Sequence, residues 1–236
     1  MIEFRHVSIE VAGQSVVRDF TLEIAPGELH VLMGPNGSGK SSLLAGAMGL
    51  PGYRVTDGDI LFEGRSIIGL TTDQRARLGL GLAFQRPPAL EGVTFAALAE
   101  ALGAEQILAD RLAPLDLSGF DQRELNVGFS GGETKRSEIL RLILQRPRML
   151  MFDEPESGVD LEHVRTIGSV IRQAMQERDA DSGPCSGLVI THTGLILDHV
   201  DPAMGHIMTD GRLIHSGDAR ALFQHIQAEG YSAPAA

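Results

Sequence analysis

The sequence predicts an α/β fold: a mostly parallel sheet core flanked by helices, an N-terminal antiparallel β subdomain, and a helical insertion. Three observations predict it. Short apolar runs at residues 29–33, 81–84, 149–152 and 188–191 read as buried strands, with helical stretches between them. The first 24 residues alternate apolar and polar instead, as half-buried antiparallel strands do. Between Pro87 and Pro147 alanine and leucine dominate and β-branched runs are missing, which favours helices.

Taken in order, residues 2–11 and 16–24 form two strands joined at Gly13. Residues 29–33 run into a glycine-rich turn, and residues 41–48 beyond it have helical length and composition, giving a strand–loop–helix unit. Gly81 to Phe84 is the next strand, followed by the insertion, in which residues 95–102 and 134–144 suit helices. From 160 to 178, Val164, Ile167, Ile171 and Met175 recur at three- and four-residue steps, so one stripe of a long helix is buried. Asp160 or a neighbour would cap that helix. A flexible tail is expected at 232–236, and no internal repeat or low-complexity tract is visible.

With 236 residues the chain can bury a full core, and 43% apolar against 22% charged residues excludes disordered and fibrous classes. The net charge of -11 repels nucleic-acid backbones and anionic lipid, so no nucleic-acid partner is expected. The richest apolar stretch, 43–50, is interrupted by Gly46 and Gly49 and closed by Pro51, so no direct membrane insertion is expected either. The first residues do not read as a signal peptide. Cys185 is the single cysteine, which rules out an internal disulfide and makes the cytoplasm the default compartment. Its setting, 182–187, reads as a loop carrying an incidental thiol.

Gly34-Pro35-Asn36-Gly37-Ser38-Gly39-Lys40-Ser41, with Ser42 following, fits a phosphate loop placed between a strand and a helix. Its glycines let backbone N–H groups turn inward around a β-phosphate, and the helix N-terminus adds positive potential. Lys40 would reach the β- and γ-phosphates, and the Ser41 hydroxyl would coordinate Mg²⁺. Residues 149–154 form an apolar strand ending in two carboxylates. Asp153 would hold the magnesium shell, and Glu154 would polarise an attacking water. Between these motifs, Ser130-Gly131-Gly132-Glu133 opens a second helix whose N-terminus faces an anion. One nucleotide rarely needs two cradles, so the economical reading is a head-to-tail dimer, each second cradle closing over the other subunit's γ-phosphate. Gln85 at a strand end, Ser157-Gly158-Val159-Asp160 past the carboxylates, and His192 after the last strand complete the set.

This series resembles the ABC ATPase superfamily over the whole chain. The resemblance makes Gly34 to Ser41 the Walker A loop and Gln85 the Q-loop, with Gln85 a magnesium ligand and catalytic residue beside Ser41 and Asp153. It makes Ser130 to Glu133 the signature acting in trans, Glu154 the catalytic base, Ser157 to Asp160 the D-loop and His192 the switch histidine. It implies an ABC-type ATPase that uses ATP and Mg²⁺. It also implies one ABC domain over 1–236, with a nucleotide-binding core at 1–86 and 147–236 and a helical signature subdomain at 87–146. Within the superfamily the chain is most similar to the ATPase subunit of the SUF iron–sulfur cluster assembly machinery (SufC-type). Asn126-Val127-Gly128-Phe129 ahead of Ser130-Gly131-Gly132-Glu133 resembles the SUF form, where transporter ATPases usually carry Leu-Ser-Gly-Gly-Gln. Tyr53-Arg54-Val55-Thr56-Asp57-Gly58, Ile196-Leu197-Asp198 with Pro202, Ser216-Gly217-Asp218 and Glu229-Gly230-Tyr231 are similar too. That likeness implies a SufB/SufD-type scaffold as partner and homodimerisation on ATP binding; a transporter ATPase driving a membrane permease is the alternative. Residues 7–17 contain no aromatic ring to stack on adenine, and the stretch between Gln85 and Ser130 is short for the family.

Overall fold

The computed structural model describes residues 1–85, 87–176 and 184–232. The chain opens with β1 (Ile2–Val11) and β2 (Gln14–Ile24), antiparallel neighbours joined by Ala12 and Gly13, both at positive φ. Two such residues give the turn whose twist matches a hairpin. After β3 (Leu29–Met33) and α1 (Lys40–Met48), β4 (Tyr53–Phe62) pairs with the other edge of β1 and with β5 (Arg65–Ser66). The resulting four-stranded antiparallel sheet has the order β2-β1-β4-β5.

Next come α2 (Thr72–Leu78), β6 (Leu80–Ala83), β7 (Leu90–Thr94), α3 (Phe95–Leu102), α4 (Glu105–Leu112) and β8 (Glu124–Leu125). The chain continues through α5 (Gly131–Leu144), β9 (Met149–Asp153), α6 (Leu161–Gln176), β10 (Ser186–Thr191), β11 (Met204–Thr209), β12 (Arg212–Gly217) and α7 (Ala219–Glu229). The main sheet has the order β12-β11-β3-β10-β9-β6, parallel throughout except for β12.

Strand alternation divides the core. Val31, Met33, Leu150, Phe152 and Val189 face α3, α5, α6 and α7, while Leu32, Met149, Met151, Leu188 and Ile190 face α1 and the antiparallel sheet. Strands buried on both faces read as continuous apolar runs, which is why β3, β6, β9 and β10 are visible in the sequence. Helix α1 sits between the two sheets and is buried nearly all round; Gly46 leaves room there for Ile9 Cδ1. Buried Arg75 donates to the Gly46 and Ala47 carbonyls at 2.8 and 2.9 Å, satisfying the acceptors that the end of α1 exposes.

Several expectations shift. The insertion is not wholly helical, because β7 and β8 pair in a small antiparallel ladder, and Thr94 at its end caps α3 by accepting from Ala97 N–H at 3.1 Å. Strand β10 starts at Ser186, so Cys185 lies at a strand mouth where it is buried, and desolvation pushes its thiol up to about 12. Helix α6 ends its described course at Gln176, and Asp160 caps it by accepting from His163 N–H at 3.0 Å. Arg178, most of the stretch 182–187 before Cys185, and the 233–236 part of the expected tail lie outside the described residues. No described helix is long and apolar enough to cross a membrane.

A candidate nucleotide site at the carboxyl ends of the strands

The turn after β3, the end of β9, the end of β10 and the stretch after β6 meet at one edge of the main sheet. Parallel α/β sheets place ligands there because several strand ends converge on one crevice. A cleft of about 600 Å³ opens at this edge, lined by Val16, Asn36, Gly37, Ser38, Gly39, Lys40, Ser41, Ser42, Gln85, Glu154, Ser157 and His192.

The loop between β3 and α1 takes its shape from glycine. Gly37 and Gly39 have φ of 81° and 101°, and a side chain on Gly34 would overlap the Met208 carbonyl oxygen. Lys40 opens α1 with its ammonium turned back into the loop, donating to Gly34 O and Pro35 O at 2.8 Å each and to Ser38 Oγ at 3.3 Å. Burial lowers its pKa, against the opposing charges of Glu154 and Asp153. The ammonium is thus held by neutral oxygens that an anionic ligand can replace. Ser41 Oγ donates to Asp153 Oδ1 at 3.0 Å. Burial raises the Asp153 carboxyl above its ordinary range; the Ser41 bond works against that rise and the nearby Glu154 adds to it.

Glu154 follows β9 with φ of 51°, its N–H donating to Ile190 O at 3.1 Å and its carbonyl accepting from Lys135 Nζ at 3.0 Å. Its carboxylate accepts from Gln85 Nε2 at 2.6 Å through Oε2. The other oxygen stands 3.1 Å from His192 Nδ1, at an angle that leaves this nitrogen without a hydrogen bond among the described residues. Ser157 N–H donates to Glu154 O, and Gly158 at φ 74° carries the chain on to Asp160.

Oxygen donors from Ser41, Asp153 and the Gln85 amide suit a hard cation such as Mg²⁺, which takes few protein ligands and fills its shell with water and phosphate. Among the described residues no group of three or more His, Cys, Asp or Glu side chains is disposed to hold a metal alone. The donor set therefore fits magnesium carried with a polyphosphate.

Ser130, Gly131, Gly132 and Glu133 do not line this cleft. They head α5 in a capping box: Ser130 N–H donates to Glu133 Oε2 at 2.7 Å, and Glu133 N–H to Ser130 Oγ at 3.3 Å. The fold brings Asp153, Glu154, Gln85, His192, Ser157 and the phosphate loop to one place, and the signature to another.

Three polar residues at the site were not singled out from the sequence. Glu156 is buried; one carboxylate oxygen accepts from Thr191 Oγ1 and Thr193 Oγ1, which flank His192, and the other has no hydrogen-bond partner among the described residues. Burial raises its pKa. Lys135 and Glu138 lie buried on α5, and Glu138 Oε1 accepts from Phe84 N–H beside Gln85 at 2.9 Å. A run of charges inside an otherwise amphipathic helix, 133–138, was the available signal for the last two.

Comparison with known proteins agrees with this architecture. The family described as ABC transporter matches residues 17–157. A probable ABC transporter ATP-binding protein of Streptococcus pyogenes serotype M18 is 36% identical over 247 residues, covering 98% of this chain and 94% of that one. A probable ATP-dependent transporter of Cyanidium caldarium is 40% identical, covering 92% and 89%. Vegetative protein 296 of Bacillus subtilis is 36% identical, covering 98% and 91%. Among solved structures, a nucleotide-free ATP-binding cassette from an ABC transporter superposes with a TM-score of 0.78 at 20% identity, covering 97% and 95%. A dimeric post-hydrolysis cassette bound to ADP and Pi gives 0.77 at 20%, covering 93% and 99%. The chain belongs to the ABC transporter family of proteins and is an ATPase of that family, using ATP and Mg²⁺.

Proposed function

We propose that this chain works as half of a head-to-tail pair, in which ATP binding closes two cassettes and the closure moves a docked SufB/SufD-type scaffold for iron–sulfur cluster assembly. The observation that carries the paired arrangement is Ser130 at the N-terminus of α5, an anion-facing helix start that stands apart from the cleft of its own chain. A second copy would bring that helix start over the γ-phosphate.

In this reading Gly34 to Ser42 cradle the triphosphate, and Lys40 exchanges its loop carbonyls for the β- and γ-phosphates. Ser41, Asp153 and Gln85 would hold Mg²⁺, which neutralises phosphate charge when bound. Glu154 accepts a proton from the attacking water, Gln85 and His192 orient its carboxylate, and Ser157 and Asp160 cross to the partner with Ser130, Gly131, Gly132 and Glu133. The core is 1–86 with 147–236, the insertion 87–146 receives the partner, and the working compartment is the cytoplasm. The SUF assignment is supported by residues that ATP chemistry does not require, above all Asn126-Val127-Gly128-Phe129 before the signature. This chain supplies no cysteine cluster, so the cluster would be cargo on the scaffold.

A second reading, an ATPase subunit driving a membrane permease, is favoured by the transporter names of the Streptococcus and Cyanidium relatives. Co-purification with the products of neighbouring genes, followed by ATPase assay of the complex, separates the two. Recovery of a soluble scaffold that stimulates turnover supports the first; recovery of an integral membrane permease rejects it.

A further inference from the structure

We infer that His163 is a positioning residue that ties the loop after Glu154 to the helix headed by Ser130, so that both parts of one chain that reach the partner's nucleotide advance together. The inference rests on the paired-cassette reading above.

His163 lies in the first turn of α6 and touches carboxylates from two parts of the molecule. On the core side, Asp160 accepts its backbone N–H at 3.0 Å through Oδ1, and Asp160 Oδ2 stands 2.6 Å from its Nδ1. On the insertion side, its Nε2 stands 3.5 Å from Asp116 Oδ2. Asp116 belongs to the turn after α4 and is held at φ 53°, a conformation that aims a non-glycine side chain unusually. The same Asp116 oxygen lies 3.6 Å from Nη2 of Arg136, one turn into α5 beyond the Ser130 cap. The Arg136 side chain is 6% exposed and, among the described residues, its Nε has no hydrogen-bond partner, so the guanidinium has spare donor capacity.

The order Asp160, His163, Asp116, Arg136 alternates acidic and basic groups from the stretch after Glu154 to the signature helix. Hydrophobic packing between α5 and α6 is non-directional and tolerates sliding, whereas the 2.6 Å contact to Asp160 and the longer approach to Asp116 seat the His163 ring between the two elements. Asp160 and Asp116 are 65% and 76% exposed, so in the single chain the tie is screened and weak. Closure against a second copy would cover both and strengthen it. His163 therefore acts on assembly of the pair and not on capture of nucleotide by one chain.

The test measures ATP-driven dimerisation by analytical ultracentrifugation in a Glu154→Gln background. Adding His163→Ala weakens the dimer by about fivefold or more, while MgADP affinity of the single chain and its melting temperature stay at parent values. His163→Arg, whose planar fork can serve both carboxylates, restores the parent dimer constant. In a double-mutant cycle, Asp116→Ala and His163→Ala are less than additive. Equal dimer constants for the Ala variant and its parent, or full additivity with Asp116→Ala, overturn the His163 assignment alone. A Glu154→Gln parent that stays monomeric at saturating ATP overturns the paired reading, and this inference with it.

Discussion

Gln85 and Glu154, far apart in sequence, share a 2.6 Å hydrogen bond across the mouth of the cleft, with His192 on the other carboxylate oxygen. A carboxylate held by the Gln85 amide on one oxygen, with the His192 ring beside the other, is oriented before water arrives. Replacing Glu154 by Gln keeps the shape and removes the proposed proton acceptor, so nucleotide binding should persist while hydrolysis falls by about 10²–10⁴-fold. Single-turnover assays with saturating MgATP measure this. Hydrolysis at the parent rate would show that Glu154 is not the base.

Lys40→Ala removes the ammonium that the loop carbonyls hold ready. Charge-assisted contacts to two phosphates contribute about 3 kcal/mol or more together, so MgATP affinity should drop at least about a hundredfold. Isothermal titration of the purified variant gives the constant, and a loss of less than tenfold contradicts the assigned role.

Among the described residues that line the cleft there is no Phe, Tyr or Trp, and Val16 is the one apolar side chain. An adenine stack contributes on the order of 1 kcal/mol, so its lack leaves base selectivity loose. MgADP and MgGDP should bind within about fivefold of each other. A hundredfold preference for adenine would require a base contact that the described lining residues do not provide.

Gly34→Ala should destabilise the fold by roughly 1–3 kcal/mol, because the added methyl overlaps the Met208 carbonyl and the loop or β11 has to shift. Urea unfolding of the nucleotide-free protein reads this directly. An unchanged midpoint would mean that the loop relaxes at no cost.

His30 and His206 form a buried pair whose hydrogen bonds run in one direction. Ser216 Oγ can donate to His206 Nδ1 at 2.7 Å, His206 Nε2 to His30 Nδ1 at 2.9 Å, and His30 Nε2 to Glu28 Oε2 at 3.0 Å. This chain is complete with both rings neutral. Burial first, then His30, lowers His206 to about 4, and burial lowers His30 as well. The folded state therefore takes up protons less readily than the unfolded chain. The His206 contribution is intact above about pH 6.5 and is lost as pH falls toward 4, by roughly 3 kcal/mol over that window. Melting curves across that range should show a flatter pH slope for His206→Gln; an identical slope would place the titration elsewhere.

Most of the candidate site was legible because its residues are local in sequence. Gly34 to Ser41, Asp153 with Glu154, and His192 each sit where a buried parallel strand ends, and such strands advertise themselves as uninterrupted apolar runs. The antiparallel strand β4 was harder to read, since its first half is largely exposed and Gly58 breaks its pattern. Strands β7 and β8 were hidden by the alanine and leucine of the two helices between them, and β8 has only two residues. Glu156 and Glu138 escaped for a different reason: their burial depends on Thr191, Thr193 and Arg141, partners brought together by the fold. Periodicity identifies faces, and a buried charge is defined by what faces it.

The mouth of β10 offers a built-in monitor of conformational opening. Cys185 is the one thiol in the sequence, shielded in the native state and held in its protonated, unreactive form. A chromogenic alkylating reagent therefore has a single target, and modification must wait for that end of the sheet to separate. The labelling rate of unaltered protein, with and without nucleotide, becomes a direct clock for local opening, with no engineered probe and no background from other sulfhydryls.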